Sequence, residues 1–210
     1  MTRPSQNIDK KLLEAAKELL PETGFTRLSI RMVAKKAGVN LGMFNYHFKT
    51  KEAFIEQLLI DTYAEFFNTF TLNIKEGATP LEQLKKALFT TAVFARDNNQ
   101  LISTLIEDVM LGNEKIIEFA SKNMTKHVTV LVKLIKQCQS EGFIIKAPLF
   151  NIIPVIIAPI VAPNVVLALA ERQLNRNIKL KLLAKLAASQ ILSDKAIKQR
   201  MDIVFKGLVP

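Results

Sequence analysis

Between Ser29 and Lys51 the chain reads S-I-R-M-V-A-K-K-A-G-V-N-L-G-M-F-N-Y-H-F-K-T-K. Met43, Phe44, Asn45, Tyr46, His47 and Phe48 set more aromatic surface on one short segment than a small helix can bury by itself. An amide, a phenol and an imidazole in a row, followed by Lys49 and Lys51, are groups that bond to phosphate oxygens and base edges. They are not a bond-breaking set. Histidine occurs only at 47 and 127 and cysteine only at 138, so no cluster has metal-ligand spacing and no internal disulfide is possible. Nor does spacing bring together a nucleophile, a base and an orienting group, so the expectation is a protein that is not an enzyme and needs no cofactor or metal.

The elements needed to hold such a surface are a helix-turn-helix. Ser29 is a good N-cap, and Ile30, Val33, Ala34 and Ala37 recur at spacings of three and four while Arg31, Lys35 and Lys36 point elsewhere. Gly38 supplies the stop, because only glycine takes the left-handed C′ conformation without a Cβ penalty. Asn40 then caps a second, very short helix from Leu41. In this motif the second helix enters the major groove while the first crosses the backbone. Phe44 and Phe48, four apart, are the inward anchors; Leu41, Gly42, Met43, Asn45, Tyr46 and His47 remain on the outer side, and Gly42 lets backbone approach closely. The pair Lys35 and Lys36 reads more simply as a solvated face.

The run G-V-N-L-G-M-F-N-Y-H-F-K-T-K-E-A-F resembles the recognition helix and following helix start of the TetR-type (tetracycline-repressor-like) bacterial transcriptional regulators, and S-I-R-M-V-A-K-K-A fits their first motif helix. The resemblance covers roughly residues 8 to 55. It implies that Arg31 reaches bases, that Tyr46 and His47 make groove and phosphate contacts, and that Lys51 binds phosphate. Asn45 stands where members often carry a phosphate-contacting tyrosine; asparagine can bond to phosphate or, through its amide, to adenine. The expected DNA surface is therefore Ser29, Arg31, Asn40, Leu41, Gly42, Met43, Asn45, Tyr46, His47, Lys49 and Lys51.

Net charge agrees. The chain carries +10, and residues 1 to 52 hold ten Lys/Arg against five Asp/Glu, concentrating charge where the motif lies. Such a balance suits a polyanion, whose displaced counterions drive binding. One cysteine and an opening M-T-R-P-S-Q-N without an apolar run point to the cytoplasm.

Around the motif, Asn7 is expected to cap a first helix that carries Leu12, Ala15, Ala16, Leu19 and Leu20 and stops at Gly24, kinked or ended early by Pro21. From Thr50 a long helix runs without glycine or proline until Gly77. The resemblance implies that it carries a ligand signal to the head. Its Tyr63, Phe66, Phe67 and Phe70, with Phe89, Met124 and His127, are the candidate effector contacts; simple core packing is the plainer reading of most, and of a lone histidine on an apolar face. Thr79-Pro80 opens another helix. Leu101 to Leu111 forms a short one in which Glu107 and Asp108 face solvent, and Asn113 caps a long one reaching Glu141, on which Ile117, Ala120, Met124 and His127 share a face.

Residues Ile152 to Ala170 contain one polar side chain, Asn164, and reach the length of a membrane span, but Pro154, Pro159 and Pro163 each lack an N–H. A buried or subunit-facing helix bent by its prolines is the better account, and the resemblance puts dimerisation at this end. Ile153, Ile156, Ile157 and Ile160, with Ile197, Met201, Val204 and Phe205 of a final helix, form the expected two-fold interface. The whole reads as all-α: a DNA-binding head over residues 1–52 and a helical effector-binding and dimerisation body over 53–210. Its partners would be a double-stranded DNA operator, a small lipophilic effector and a second copy of the chain. The alternatives are a DNA-binding regulator without effector and a membrane-anchored helical protein.

Overall fold

The computed structural model describes residues 7–75, 77–123, 125–174 and 178–210. Among them are eleven helices and no strand. α1 (Ile8–Arg27), α2 (Ile30–Ala37) and α3 (Leu41–Phe48) form the head; α4 (Lys51–Lys75) leaves it, and α5 (Pro80–Asp97), α6 (Asn99–Met110), α7 (Glu114–Asn123), α8 (Lys126–Ser140), α9 (Leu149–Leu174), α10 (Ile178–Ile191) and α11 (Asp194–Lys206) complete the body.

Two apolar cores hold this arrangement. The first joins Leu12, Ala16 and Leu20 of α1, Val33 of α2, and Phe44 and Phe48 of α3 to Phe54 and Leu58 of α4. It also takes in Leu105 of α6 and Ile116 and Phe119 of α7, so the head is keyed into the body rather than tethered by α4 alone. The second core gathers the inner faces of α4, α5, α8, α9 and α11, with Phe70, Leu88, Ile135, Ile156 and Phe205 at its centre. Each fully buried Leu, Ile or Phe contributes about 1.5–3 kcal/mol relative to exposure.

Helix ends follow the side chains beside them. Ser29 Oγ accepts the Met32 N–H at 3.3 Å, Asn40 Oδ1 the Gly42 N–H at 2.6 Å, and Thr50 Oγ1 the Ala53 N–H at 3.1 Å. Thr79 and Glu82 form a reciprocal capping box with Pro80 in the first turn. The backbone N–H groups of Thr79 and Ala78 hold the Glu82 carboxyl below its ordinary range. Gly38 ends α2 at φ 66°, in the left-handed region expected of it.

Several expectations are corrected. Asn7 makes no side-chain cap; it sits at φ 41°. The break in α1 falls at Gly24 (φ 61°, ψ 178°), a conformation open to glycine, and helix resumes to Arg27. The long helix from Asn113 is two helices, because α7 stops at Asn123 and α8 starts at Lys126. That break lets α7 bury Ile116 and Phe119 in the head core, leaving Ile117 exposed and off the His127 face. Asp108 is 7% exposed, not solvent-facing, and its carboxylate accepts from Asn113 Nδ2 at 3.1 Å.

α9 contains Pro154, Pro159 and Pro163 and remains helical throughout. Each proline leaves the carbonyl four residues earlier without its helical donor. For Pro163 that carbonyl is Pro159's, and Arg200 of α11 donates to it from Nε at 3.1 Å while its Nη1 donates to the Ile191 carbonyl at 2.6 Å. Burial lowers the Arg200 pKa. The apolar stripe assigned to a subunit interface is corrected too. Ile156, Ile160, Ile197, Met201 and Phe205 are buried inside the protomer, and Ile153, Ile157 and Val204 pack against the same core. The five buried side chains are already used, while Ile153, Ile157 and Val204 keep part of their surface. The outer side of α9 and α10 is what stays uncovered: Val155, Val166, Leu182, Leu183 and Leu186 are exposed, as is Phe150 at 92%.

Candidate nucleic-acid interface and the chambers behind it

Phe44 and Phe48 are sunk into the head core, where their rings meet Phe54 at 5.0 and 4.8 Å. Anchored so, α3 turns the opposite side outward. Leu41, Gly42, Asn45 and Tyr46 are exposed, Tyr46 at 78%, while Met43 is half-buried. Asn40 Oδ1 is occupied in capping α3, and the Asn40 backbone carbonyl accepts the Met43 N–H at 3.0 Å. Arg31 stands exposed on α2, and Ser29 is half-buried at its cap. Lys49 follows α3 at φ 56°, its N–H bonded to the Asn45 carbonyl, and half-buried Lys51 opens α4. Lys36 is paired with Glu18 at 2.7 Å, which raises its pKa and leaves Lys35 as the exposed cation of that pair of lysines.

His47 differs from its expected place on the outer face. Its ring sits edge-on to Tyr46 at 5.3 Å, and Nε2 is buried without a hydrogen-bond partner. The residue as a whole is half-buried, so part of its ring remains at the surface. Nothing in sequence spacing distinguishes this from an outward imidazole.

Behind the head, the candidate effector residues form an aromatic cluster. Tyr63, Phe66 and Phe70 line one face of α4, with Phe67 half-buried beside them, and the His127 ring lies within 5.8, 5.3 and 6.3 Å of the first three. The Tyr63 hydroxyl accepts the His127 backbone N–H at 3.2 Å, so its own proton is free to reach His127 Nδ1 at 3.1 Å. Burial lowers the His127 pKa and raises that of Tyr63. Lys126 lies over the Phe67 ring. Met124, the remaining candidate on this side, lies outside the described residues.

Three grooves open around these elements. One of about 520 Å³ lies where α4 leaves the head, floored by Phe25, Ile55, Leu59, Ile116 and Phe119, with lysines and glutamates of both signs on its rim, Lys51 among them. A second, of about 440 Å³, runs between α4, α5 and α11. A third, of about 280 Å³, lies between α4 and α5. Phe89 lines both the second and the third. Sequence reasoning marked Phe66 and Phe89 but missed Phe94 and the lysines of α5 and α11, which spacing alone does not bring together.

Residues 12–58 match the family described as bacterial regulatory proteins, tetR family. Probable HTH-type transcriptional regulator YttP of Bacillus subtilis is 27% identical over 142 residues, 66% of this chain and 68% of its own length. The fatty acid metabolism regulator protein of the same organism is 31% identical over 98 residues, 46% of this chain and half of the relative. Among solved structures, the transcriptional regulator FadR from Bacillus subtilis in complex with stearoyl-CoA superposes with a TM-score of 0.65 at 20% identity, covering 87% of this chain and 96% of that one. HlyIIR, a hemolysin II transcriptional regulator, gives a TM-score of 0.66 at 18% identity over 98% of each chain. Residues 12–58 thus carry the match to the tetR family of bacterial regulatory proteins, and their capped and anchored second motif helix sits in a helical fold that the chain shares with solved regulators.

Proposed function

We propose that this protein is a homodimeric transcriptional repressor that binds a pseudo-palindromic operator and leaves it when a small lipophilic effector binds the body. The observation that carries the reading is α3: two buried phenylalanines fix it, and Asn45 and a largely exposed Tyr46 stand on the side away from them. A solvent-facing phenol on a capped, rigid helix is suited to a groove wall, and the surplus of lysine and arginine around it supplies the electrostatic attraction. Two copies would place their α3 helices in successive major grooves about 34–36 Å apart. Residues 1–52 would read DNA, and 53–210 would bind effector and partner in the cytoplasm.

The uncovered α9–α10 face supports the dimer. Only 22% of residues in the apolar stretch Leu149–Leu167 are buried in the protomer, so a further surface is needed to cover it. By length and composition that stretch could also cross a membrane. Its inner side is committed to the body core, which favours a second copy, and sedimentation without detergent separates the two. Effector action would follow from different affinity for two body shapes, transmitted through α4 and through α6 and α7, which share the head core.

The test is binding of purified protein to DNA flanking its own gene across a range of salt, with excess competitor. A salt-dependent complex that survives competitor supports the reading; complexes removed by competitor at this and remote candidate operators would end it.

A further inference from the structure

The grooves beside α5 differ from the rest of the surface in how their charge is held. Lys85 of α5 sets its ammonium 5.1 Å from the centroid of the Phe205 ring, and Lys198 of α11 sets its own 5.1 Å from that of Phe89. Neither forms an ion pair among the described residues. Both line the 440 Å³ groove together with Lys86, against one carboxylate, Asp202. An aromatic face orients an ammonium without neutralising it, so the groove keeps a surplus of positive charge with donors to spare.

The same groove continues into an apolar one. Asn73, Phe89 and Thr90 line both it and the 280 Å³ groove that reaches Phe66, Val93 and Phe94, so the two form one trough along α4 and α5. The Asn73 amide donates to Thr90 Oγ1 at 2.9 Å at this joint, which satisfies both groups where apolar matter would pass. Glu65 and Asp97 stand at the far end. One end is cationic and the middle is aromatic, while at the far end Asp97 is already paired with Arg96 at 2.8 Å and Glu65 stands beside it.

We propose that this trough binds an amphipathic anion, a carboxylate- or phosphate-headed molecule with an apolar chain, its head on Lys85 and Lys198 and its chain along Phe89 toward Phe66 and Phe94. The polarity of the trough fixes the orientation. A cation would meet like charge at the head end, and a short anion would leave the aromatic section uncovered, losing apolar burial with each methylene it lacks. The inference rests on the effector reading and names the chemical class of the effector. Phe66, which reaches from the trough into the His127 cluster, would carry occupancy to α4.

The experiment is calorimetric titration of the full-length protein with laurate and with dodecyl phosphate, each below its micelle concentration, beside hexanoate, dodecyltrimethylammonium and dodecyl maltoside. Saturable one-to-one binding of at least one twelve-carbon anion, with hexanoate and the cationic chain much weaker, is expected, and whichever head binds tighter identifies the source chemistry. Lys85→Gln with Lys198→Gln should weaken it about tenfold or more, while Lys85→Arg with Lys198→Arg should retain it. Thermal melts of both double variants check folding. No saturable anion binding, equal binding of the cationic or uncharged chain, or unchanged affinity in the folded glutamine variant would each overturn the proposal. Operator binding is measured in the same samples: an anion that binds the trough and leaves the operator complex intact keeps the site and removes the effector reading.

Discussion

Arg200 of α11 and Pro159 of α9 are joined by a 3.1 Å bond from a guanidinium Nε–H to a backbone carbonyl, and the carbonyl is the one that Pro163 deprives of its helical donor. A side chain from the last helix thus completes the hydrogen bonding of a helix interrupted by proline. It accounts for one of the three prolines inside α9, Pro163.

Arg200→Met should destabilise the protein by about 1 kcal/mol or more, because a half-buried carbonyl loses its charged partner. In a Pro163→Ala background the new backbone N–H supplies that partner, and the same substitution should cost clearly less. Urea unfolding of the four proteins gives the coupling. Equal losses in both backgrounds would show that Arg200 acts through something other than this carbonyl.

Lys49 occupies φ 56° without being glycine, a conformation costing a side-chain-bearing residue about 1–2 kcal/mol. Lys49→Gly should therefore raise the stability of the head by about 1 kcal/mol. If the lysine also touches phosphate, the same change lowers operator affinity. Stability and affinity moving in opposite directions is the expected signature; both falling would contradict it.

At the DNA surface, Lys51→Ala should weaken binding to all sequences alike and reduce the slope of log K against log salt by about 1. Tyr46→Ala should change which operator variants are preferred. Electrophoretic titration against a panel of single-base variants distinguishes them. An unchanged salt slope would remove Lys51 from the phosphate contacts.

Burial holds His127 below its ordinary value of 6.5. Above that value the ring is neutral both folded and unfolded and adds no pH dependence. As pH falls through 6.5 the unfolded chain takes up a proton that the folded chain resists, so stability drops until the folded ring titrates as well. The melting temperature should fall between about pH 7.5 and 5 more steeply in the parent than in His127→Phe. Parallel curves would assign the decline to other groups.

The head was readable because its signals are local. Ser29, Asn40 and Thr50 cap the helices that follow them, Gly38 takes the positive φ expected of it, and the spacing of Phe44 and Phe48 sets which side of α3 is buried. The errors arose where periodicity continues across a break that tertiary packing imposes. Ile117 and His127 fit one helical face on paper, yet α7 ends at Asn123 and α8 begins at Lys126, and α7 serves the head core while α8 serves the body core. The C-terminal stripe was assigned correctly as apolar and wrongly as external, since Ile197 and Phe205 have the same spacing whether they meet a partner subunit or α5 and α9. His47 is half-buried, which its spacing did not signal. Type and position did not determine which way its ring turned.

That the head core includes Ile116 and Phe119, while the body core waits for Phe205 and Leu208, sets an order in time. As the chain leaves the ribosome the head can close once α7 has emerged, and the body cannot close until the final helix has. The interval is roughly 90 residues, or about 5–20 s at about 5–20 residues per second. During it the head's outer surface is formed on a chain whose α9 still lacks Arg200 and whose C-terminal core is still open.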